Sequence, residues 1–291
     1  MDSISSKNPK FLLKQYQARP SKRFGQNFLA DRRIVRKIVK AAEITSKDTV
    51  LEIGPGTGEL TKEIAKAAGK VIAVEKDPRM IQILRETLKG FTNVEVIRGD
   101  IRRLSLPQID GGLASLNYKV VGNLPFYLTA PAIRRFLENT RVKPVYLVLV
   151  VQKEVAQRIC QKPPRMNLLA VSVQAYAEPK IIFYISKKFF WPQPEVDAAL
   201  IKITPKNVPI GDTDLFFKIV KAGFSQPRKQ LSNNLSRLNF SSKNLSGQAK
   251  QLKYDKKKAK EWLLENGVEP SRRAETLSLR EWMKLAGSYD Y

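Results

Sequence analysis

The sequence predicts an α/β fold, a parallel sheet flanked by helices, followed by a small C-terminal all-helical domain. Three observations carry this expectation. Residues 49–69, TVLEIGPGTGELTKEIAKAAG, run as a short apolar strand, a glycine turn and an amphipathic helix. Apolar runs of strand length then alternate with helix-period segments as far as residue 204. From Pro205 the strand runs stop and short amphipathic helices take over. The expected organisation is a basic flexible arm over residues 1–20, a ligand-binding α/β domain over 21–205 and a helical domain over 206–291.

Taken in order, residues 1–20 are polar and basic and read as an arm. Residues 21–31, SKRFGQNFLAD, are cationic, aromatic and amide-rich, with neither strand nor helix period. Asp31 is placed to cap a helix through Glu43. That helix would bury Ile34, Val35, Ile38 and Val39 and turn Arg32, Arg33, Arg36, Lys37 and Lys40 toward solvent or phosphate. The first strand, residues 50–53, feeds Gly54-Pro55-Gly56-Thr57-Gly58. Glycines let the backbone take unusual dihedrals there and approach a ligand. The helix behind them offers free N–H groups and a positive dipole end. Residues 71–74 form a second strand that ends in Glu75. A carboxylate at that point of a βαβ unit accepts hydrogen bonds from ribose hydroxyls. Loop and carboxylate together indicate an adenosine-type ligand. The G-x-G-x-G spacing is not that of dinucleotide binders, and no nucleoside-triphosphate loop is present.

Asp77-Pro78 starts a helix through Lys89, and a third strand, residues 94–98, ends at Gly99-Asp100. Asp100 falls on the same sheet edge as Glu75, where it either accepts from an adenine amino group or caps a turn; spacing alone does not decide. A fourth strand, residues 119–122, ends in Asn123-Leu124-Pro125-Phe126. Proline removes a backbone donor and fixes the turn. The Asn123 side-chain oxygen and the Leu124 carbonyl are then two acceptors for one amino group, and Phe126 offers a flat face for a base. A helix over 130–138, a strand over 144–151, a helix from about Lys153 and an ambiguous, helix-leaning stretch over 167–176 come next. Two more strands, 180–186 and 198–204, flank Phe189-Phe190-Trp191-Pro192-Gln193-Pro194. The prolines bar this segment from a central strand, and its aromatics serve equally well as core or, through Phe190, as a second wall for a base. Beyond Pro205, helices are expected over 212–224, from near Arg228, over 256–266 ending at Gly267, and from a Ser278/Glu281 capping box to Gly287.

Composition narrows the function. Fifty-two basic residues against 27 acidic ones leave a net charge of +25, which implies a polyanionic partner, nucleic acid before membrane. Clusters at Arg228-Lys229, Lys256-Lys257-Lys258 and Arg272-Arg273 are candidate RNA contacts, so residues 206–291 read as an RNA-binding domain. The chain contains no histidine, which argues against zinc or iron sites and Ser-His-Asp chemistry, and its one cysteine, Cys160, cannot form an intramolecular disulfide. With no apolar signal core and no run long enough to span a bilayer, a cytoplasmic protein is expected, and nothing demands more than a monomer.

Several motifs together resemble a known family. QNFL (26–29), EIGPGTG (52–58), VEKD (74–77), GD (99–100) and NLPF (123–126) resemble the rRNA adenine N6-methyltransferases. QKEVAQR (152–158), FWPQPEVDAAL (190–200), FSQPRKQLSNNL (224–235) and RAETLSL (273–279) are similar to the small-subunit (16S) rRNA adenine N6,N6-dimethyltransferases of the KsgA type. The resemblance covers residues 21–286 and implies a class I methyltransferase (Rossmann-like) sheet with S-adenosylmethionine (SAM) as donor and no metal. It implies that Asn27, Leu29, Gly54, Glu75, Asp100 and Asn123 contact SAM, with Glu75 on the ribose and Asp100 at the adenine. Asn123 and Leu124 would be catalytic, with Phe126 and Phe190 stacking on the target base. The implied substrate is a pair of adjacent adenosines in the hairpin near the 3′ end of 16S rRNA, within the 30S subunit during its maturation. Position 126 is Phe where the family more often has Tyr, and Pro227 and Gln230 stand where it is richer in Arg and Thr. The competing expectations are a 23S rRNA adenine methyltransferase of the macrolide-resistance type, a DNA adenine methyltransferase, and a non-catalytic ribosome-assembly factor on the same fold. The ending RAETLSL and the lack of a D-P-P-Y tetrapeptide argue against the first two; the intact glycine loop, Glu75 and Asn123 argue against the third.

Overall fold

The computed structural model describes residues 8–104, 117–138, 142–206, 211–236, 238–243, 249–253 and 255–288. These fall into two compact units, residues 1–157 with 177–205 and residues 158–176 with 206–291. The second unit thus claims a segment, 158–176, from within the stretch expected to be α/β.

The first unit opens with α1 (Pro9–Gln15), β1 (Phe28–Leu29) and α2 (Arg32–Ala41). Then come β2 (Thr49–Ile53), α3 (Glu59–Ala67), β3 (Lys70–Glu75), α4 (Pro78–Thr87), β4 (Val94–Arg98), β5 (Tyr118–Asn123), α5 (Thr129–Glu138), β6 (Leu147–Gln152), most of α6 (Lys153–Ile159), β7 (Ala177–Ile185), β8 (Phe190–Trp191) and β9 (Ala198–Pro205). Seven strands make one sheet in the order β4-β3-β2-β5-β6-β9-β7. The pairings from β4 through β6 are parallel, and β9 runs antiparallel to both β6 and β7. Every residue of β2 is buried, as expected of a central strand covered on both faces. Chain order reverses between β2 and β5, and parallel sheets bind ligands outside the strand ends at such a reversal. Gly54, Glu75, Asp100 and Asn123 all stand at or just beyond those ends.

Two expectations for the N-terminal part need correction. Within residues 1–20, the described portion is not a free arm. Asn8 caps α1 by accepting from the Lys10 N–H at 2.9 Å, and Pro9 occupies its first turn. Leu12 and Leu13 are fully buried in a cluster with Phe28, Met80 and Ile83. Each such burial contributes roughly 1.5–3 kcal/mol. Residues 21–31 do contain a strand: Phe28 and Leu29 pair antiparallel with Trp191 and Phe190. This two-residue ribbon is too short to show a period.

The second unit comprises α7 (Leu168–Gln174), α8 (Thr213–Gly223), α9 (Leu231–Leu235), β10 (Asn239–Lys243), β11 (Ala249–Lys253), α10 (Lys256–Glu265) and α11 (Leu279–Gly287). The expectation of an all-helical domain is corrected by the antiparallel pair β10–β11. Its strands, NFSSK and AKQLK, are polar and carry no apolar alternation. The core gathers Phe216, Ile219, Leu231, Leu263 and Trp282. Gly223 is required there, because a Cβ would lie 2.4 Å from the Trp282 ring. Ser278 and Glu281 form the expected capping box. Arg272 is not an open cation: it donates to Glu281 at 2.5 Å and to the Thr276 carbonyl at 2.7 Å.

Candidate active site

The strand ends of the first unit open into one cleft, lined by residues of the 24–29 segment, the 54–57 loop, Glu75, Lys76, Asp100, Asn123, Leu124, Tyr127 and Phe190. Its empty space is about 1130 Å³, open mouth included. Asn27, Leu29, Gly54, Glu75, Asp100, Asn123, Leu124 and Phe190, named from the sequence, all line it. The side chain of Phe126 lies outside the described residues; its backbone opens a short helical turn, Phe126–Leu128.

The glycine loop is shaped by backbone need. Gly54, Gly56 and Gly58 have φ of +67°, +58° and +87°, and a Cβ on Gly56 would come within 2.9 Å of the Phe28 ring. Phe28, held from behind by α1, therefore lies directly on the loop. Glu75 is buried and ties loop to strand. Its Oε2 accepts from the Gly56 N–H at 3.1 Å, and its Oε1 from the N–H groups of Lys76 and Asp77 at 2.7 and 2.8 Å. Burial pushes its pKa up, and these three donors pull against that. A carboxylate offers about four lone-pair positions, which leaves room for an outside donor.

Asp100 is differently placed. Its carboxylate accepts from Lys76 Nζ at 2.9 Å, from Arg102 Nη2 at 2.6 Å and from the Arg102 backbone at 3.0 Å. The Arg102 guanidinium in particular holds its pKa well below the usual carboxylate range. An adenine amino group at Asp100 would share the carboxylate with these cations.

Asn123, at the end of β5, donates from Nδ2 to the Asn27 carbonyl at 2.8 Å. That bond fixes the amide and leaves Oδ1 as its acceptor. The Leu124 N–H donates to the Val150 carbonyl at 3.2 Å, tying the turn after β5 to β6. Phe190 is only 6% exposed and belongs mainly to the core beside Leu29. The exposed ring at the cleft is Tyr127, 46% accessible, with the Arg102 guanidinium 5.9 Å from its centroid.

Sequence reading missed Tyr127, Lys76 and Glu52. Tyr127 follows the NLPF turn and Lys76 follows Glu75, so adjacency to the motifs was the available signal. Glu52 lies inside the EIGPGTG motif as a charged residue within an apolar strand. It is buried, lines the cleft, and its Oε2 has no hydrogen-bond partner. An orphaned buried polar atom, a bare glycine loop and a buried carboxylate at the second strand end fit an adenosyl ligand.

Comparison with known proteins agrees with this geometry. The profile of a family described as ribosomal RNA adenine dimethylase matches residues 17–284. A ribosomal RNA small subunit methyltransferase A from Dehalococcoides mccartyi (strain CBDB1) is 40% identical over 283 residues, covering 96% of this chain and 92% of the relative. The protein of the same name from Moorella thermoacetica is 38% identical, with 98% of each chain covered. Among solved structures, a dimethyladenosine transferase from Plasmodium falciparum superposes with a TM-score of 0.74 at 26% identity, covering 89% of this chain and 95% of that one. A 23S rRNA methyltransferase, ErmE, reaches 0.67 at 25% identity, covering 89% and 98%.

Proposed function

The chain belongs to the ribosomal RNA adenine dimethylase family, and we propose that it dimethylates the N6 amines of two adjacent adenosines in the 3′-terminal hairpin of 16S rRNA, within the 30S subunit, using SAM. The observation that carries the reading is the Asn123 amide, pinned through Nδ2 by the Asn27 carbonyl at 2.8 Å in the same cleft as Glu75. One group there holds an acceptor in place for an amine, and the other is suited to a ribose.

Asn27, Leu29, Gly54, Glu75 and Asp100 would hold SAM, which supplies an electrophilic methyl group when bound. The adenine N6 is a weak nucleophile, because its lone pair is delocalised into the ring. Asn123 Oδ1 and the Leu124 carbonyl accept hydrogen bonds from its two N–H groups and favour a pyramidal nitrogen with a directed lone pair. Positioning of this kind needs no acid–base residue at the reacting atom, consistent with a chain that contains no histidine. The target base leaves its stack, and Phe126 and Phe190 are the proposed walls of its pocket. Transfer breaks the S–CH3 bond, leaving the neutral thioether, and the N-methylated cation gives up one proton to solvent; one N–H then remains, so one acceptor gives way in the second round. The same reading makes the protein a cytoplasmic monomer acting during small-subunit maturation. Among the described residues no helix is long and apolar enough to cross a membrane.

The test is methyl transfer from labelled SAM to undermethylated 30S particles, naked 23S rRNA and duplex DNA in parallel. Label in 16S rRNA alone supports the reading. Label in 23S rRNA moves the protein to the resistance-type activity, and no transfer with retained 30S binding moves it to an assembly factor.

A further inference from the structure

Helix α2 carries five cations, Arg32, Arg33, Arg36, Lys37 and Lys40, in ten residues and no acid. All five are exposed, while Val35 and Ile38 are buried. Charge spread merely for solubility is mixed, as elsewhere in the chain. In α3, Lys62 pairs with Glu59 and Lys66 with Glu63; the four lysines of α10 share their helix with Glu261 and Glu265. On α2 the neutralisation is sparse. Arg33 pairs with Asp31 at 2.7 Å, Arg36 meets Glu63 only at 3.6 Å, and Lys37 lies 4.1 Å from the Phe183 ring centroid. Arg32 and Lys40 have no carboxylate partner among the described residues. The strip begins three residues after Leu29, a lining residue of the cleft, and extends about 12 Å along the helix.

We propose that the outward face of α2 is a docking strip for the phosphodiester backbone of the rRNA flanking the modified adenosines. The inference rests on the rRNA reading above. A ridge of long cationic side chains beginning beside the cleft suits a strand whose neighbouring nucleotide is inside it. Contacts of this kind read phosphate rather than sequence, so they set register and affinity without selecting the base.

The test compares the full-length protein with a quadruple variant, Arg32→Gln, Arg36→Gln, Lys37→Gln and Lys40→Gln. Affinity for a 16S rRNA fragment carrying the 3′-terminal hairpin is measured from 50 to 200 mM salt. Each lost phosphate contact lowers the log–log salt slope by roughly 0.7–0.9. The variant should therefore show a slope shallower by about two units or more, with affinity at low salt reduced at least about tenfold. KM for RNA should rise, with kcat at saturating RNA and the Kd for SAM unchanged. An unchanged slope overturns the proposal, as does a loss of SAM binding together with the RNA effect, which would make the helix structural. If the quadruple variant does not fold, Lys40→Glu at the exposed end should still weaken RNA binding several-fold, and no effect there overturns the strip. Equal binding of both proteins to naked RNA, with a difference only on whole 30S particles, would assign the face to a ribosomal protein and likewise overturn it. Wild-type protein that fails to bind or methylate 16S rRNA would count against the function itself, whereas active wild type with an unchanged variant slope removes the strip alone.

Discussion

Glu52 is a buried carboxyl at the cleft, and its burial has a cost to the fold. Its side chain is buried in a central strand, and burial pushes its pKa from 4.5 up to about 8. Below pH 4.5 the folded and unfolded chains both hold the proton. Between there and pH 8 the unfolded chain ionises while the folded chain does not, so stability falls as pH rises, by at most about 1.4 kcal/mol per unit. Glu52→Gln carries no such penalty. Its Tm advantage over wild type should widen from pH 5 to pH 8 and level off above, as followed by thermal denaturation. A difference independent of pH would show that the carboxyl ionises freely in the folded protein. Asp100 is the opposite case. Its charge is held by Lys76 and Arg102, a competition that its place in the sequence did not reveal, because spacing gives position but not occupancy.

Among the elements, α1 is the one whose role is least expected from a basic N-terminus. Leu12 and Leu13 pack against Phe28, and Phe28 lies on Gly56. Leu12→Ala should destabilise this docking by roughly 2–5 kcal/mol and weaken SAM binding, because the ring over the glycine loop loses its support. Calorimetric titration with SAM alongside a thermal melt would check both effects, and unchanged values in both would remove α1 from the account. The parallel strands were legible because strands buried on both faces read as continuous apolar runs. The β1–β8 ribbon was not, since two residues carry no period, and neither was β10–β11, whose residues are polar. The cap at Asp31 and the Ser278/Glu281 capping box were legible, because capping is decided by one side chain and the N–H groups two or three residues on.

For the whole molecule, the change at Pro205 was visible as the end of strand runs, but the membership of residues 158–176 in the second unit was not. That assignment depends on packing among residues distant in sequence, such as the Met166 N–H donating to the Glu275 carbonyl at 2.8 Å. The second unit has its own core, so damage to it should be separable from the cleft. Gly223→Ala forces a methyl group against Trp282 and should lower the Tm of that unit, while the Kd for SAM stays within about twofold; overpacking of this kind typically costs about 1–3 kcal/mol. The cleft was the most legible feature, because motif residues at the ends of parallel strands converge on one edge whatever joins them. Asn123 is the residue proposed to position the N6 amine there. Its most direct test is single-turnover transfer by Asn123→Ala to undermethylated 30S particles, with N6,N6-dimethyladenosine quantified by mass spectrometry. The expected rate is lower by about 10²-fold or more with SAM and RNA affinities retained; dimethyladenosine formed at the wild-type rate would contradict this role for Asn123.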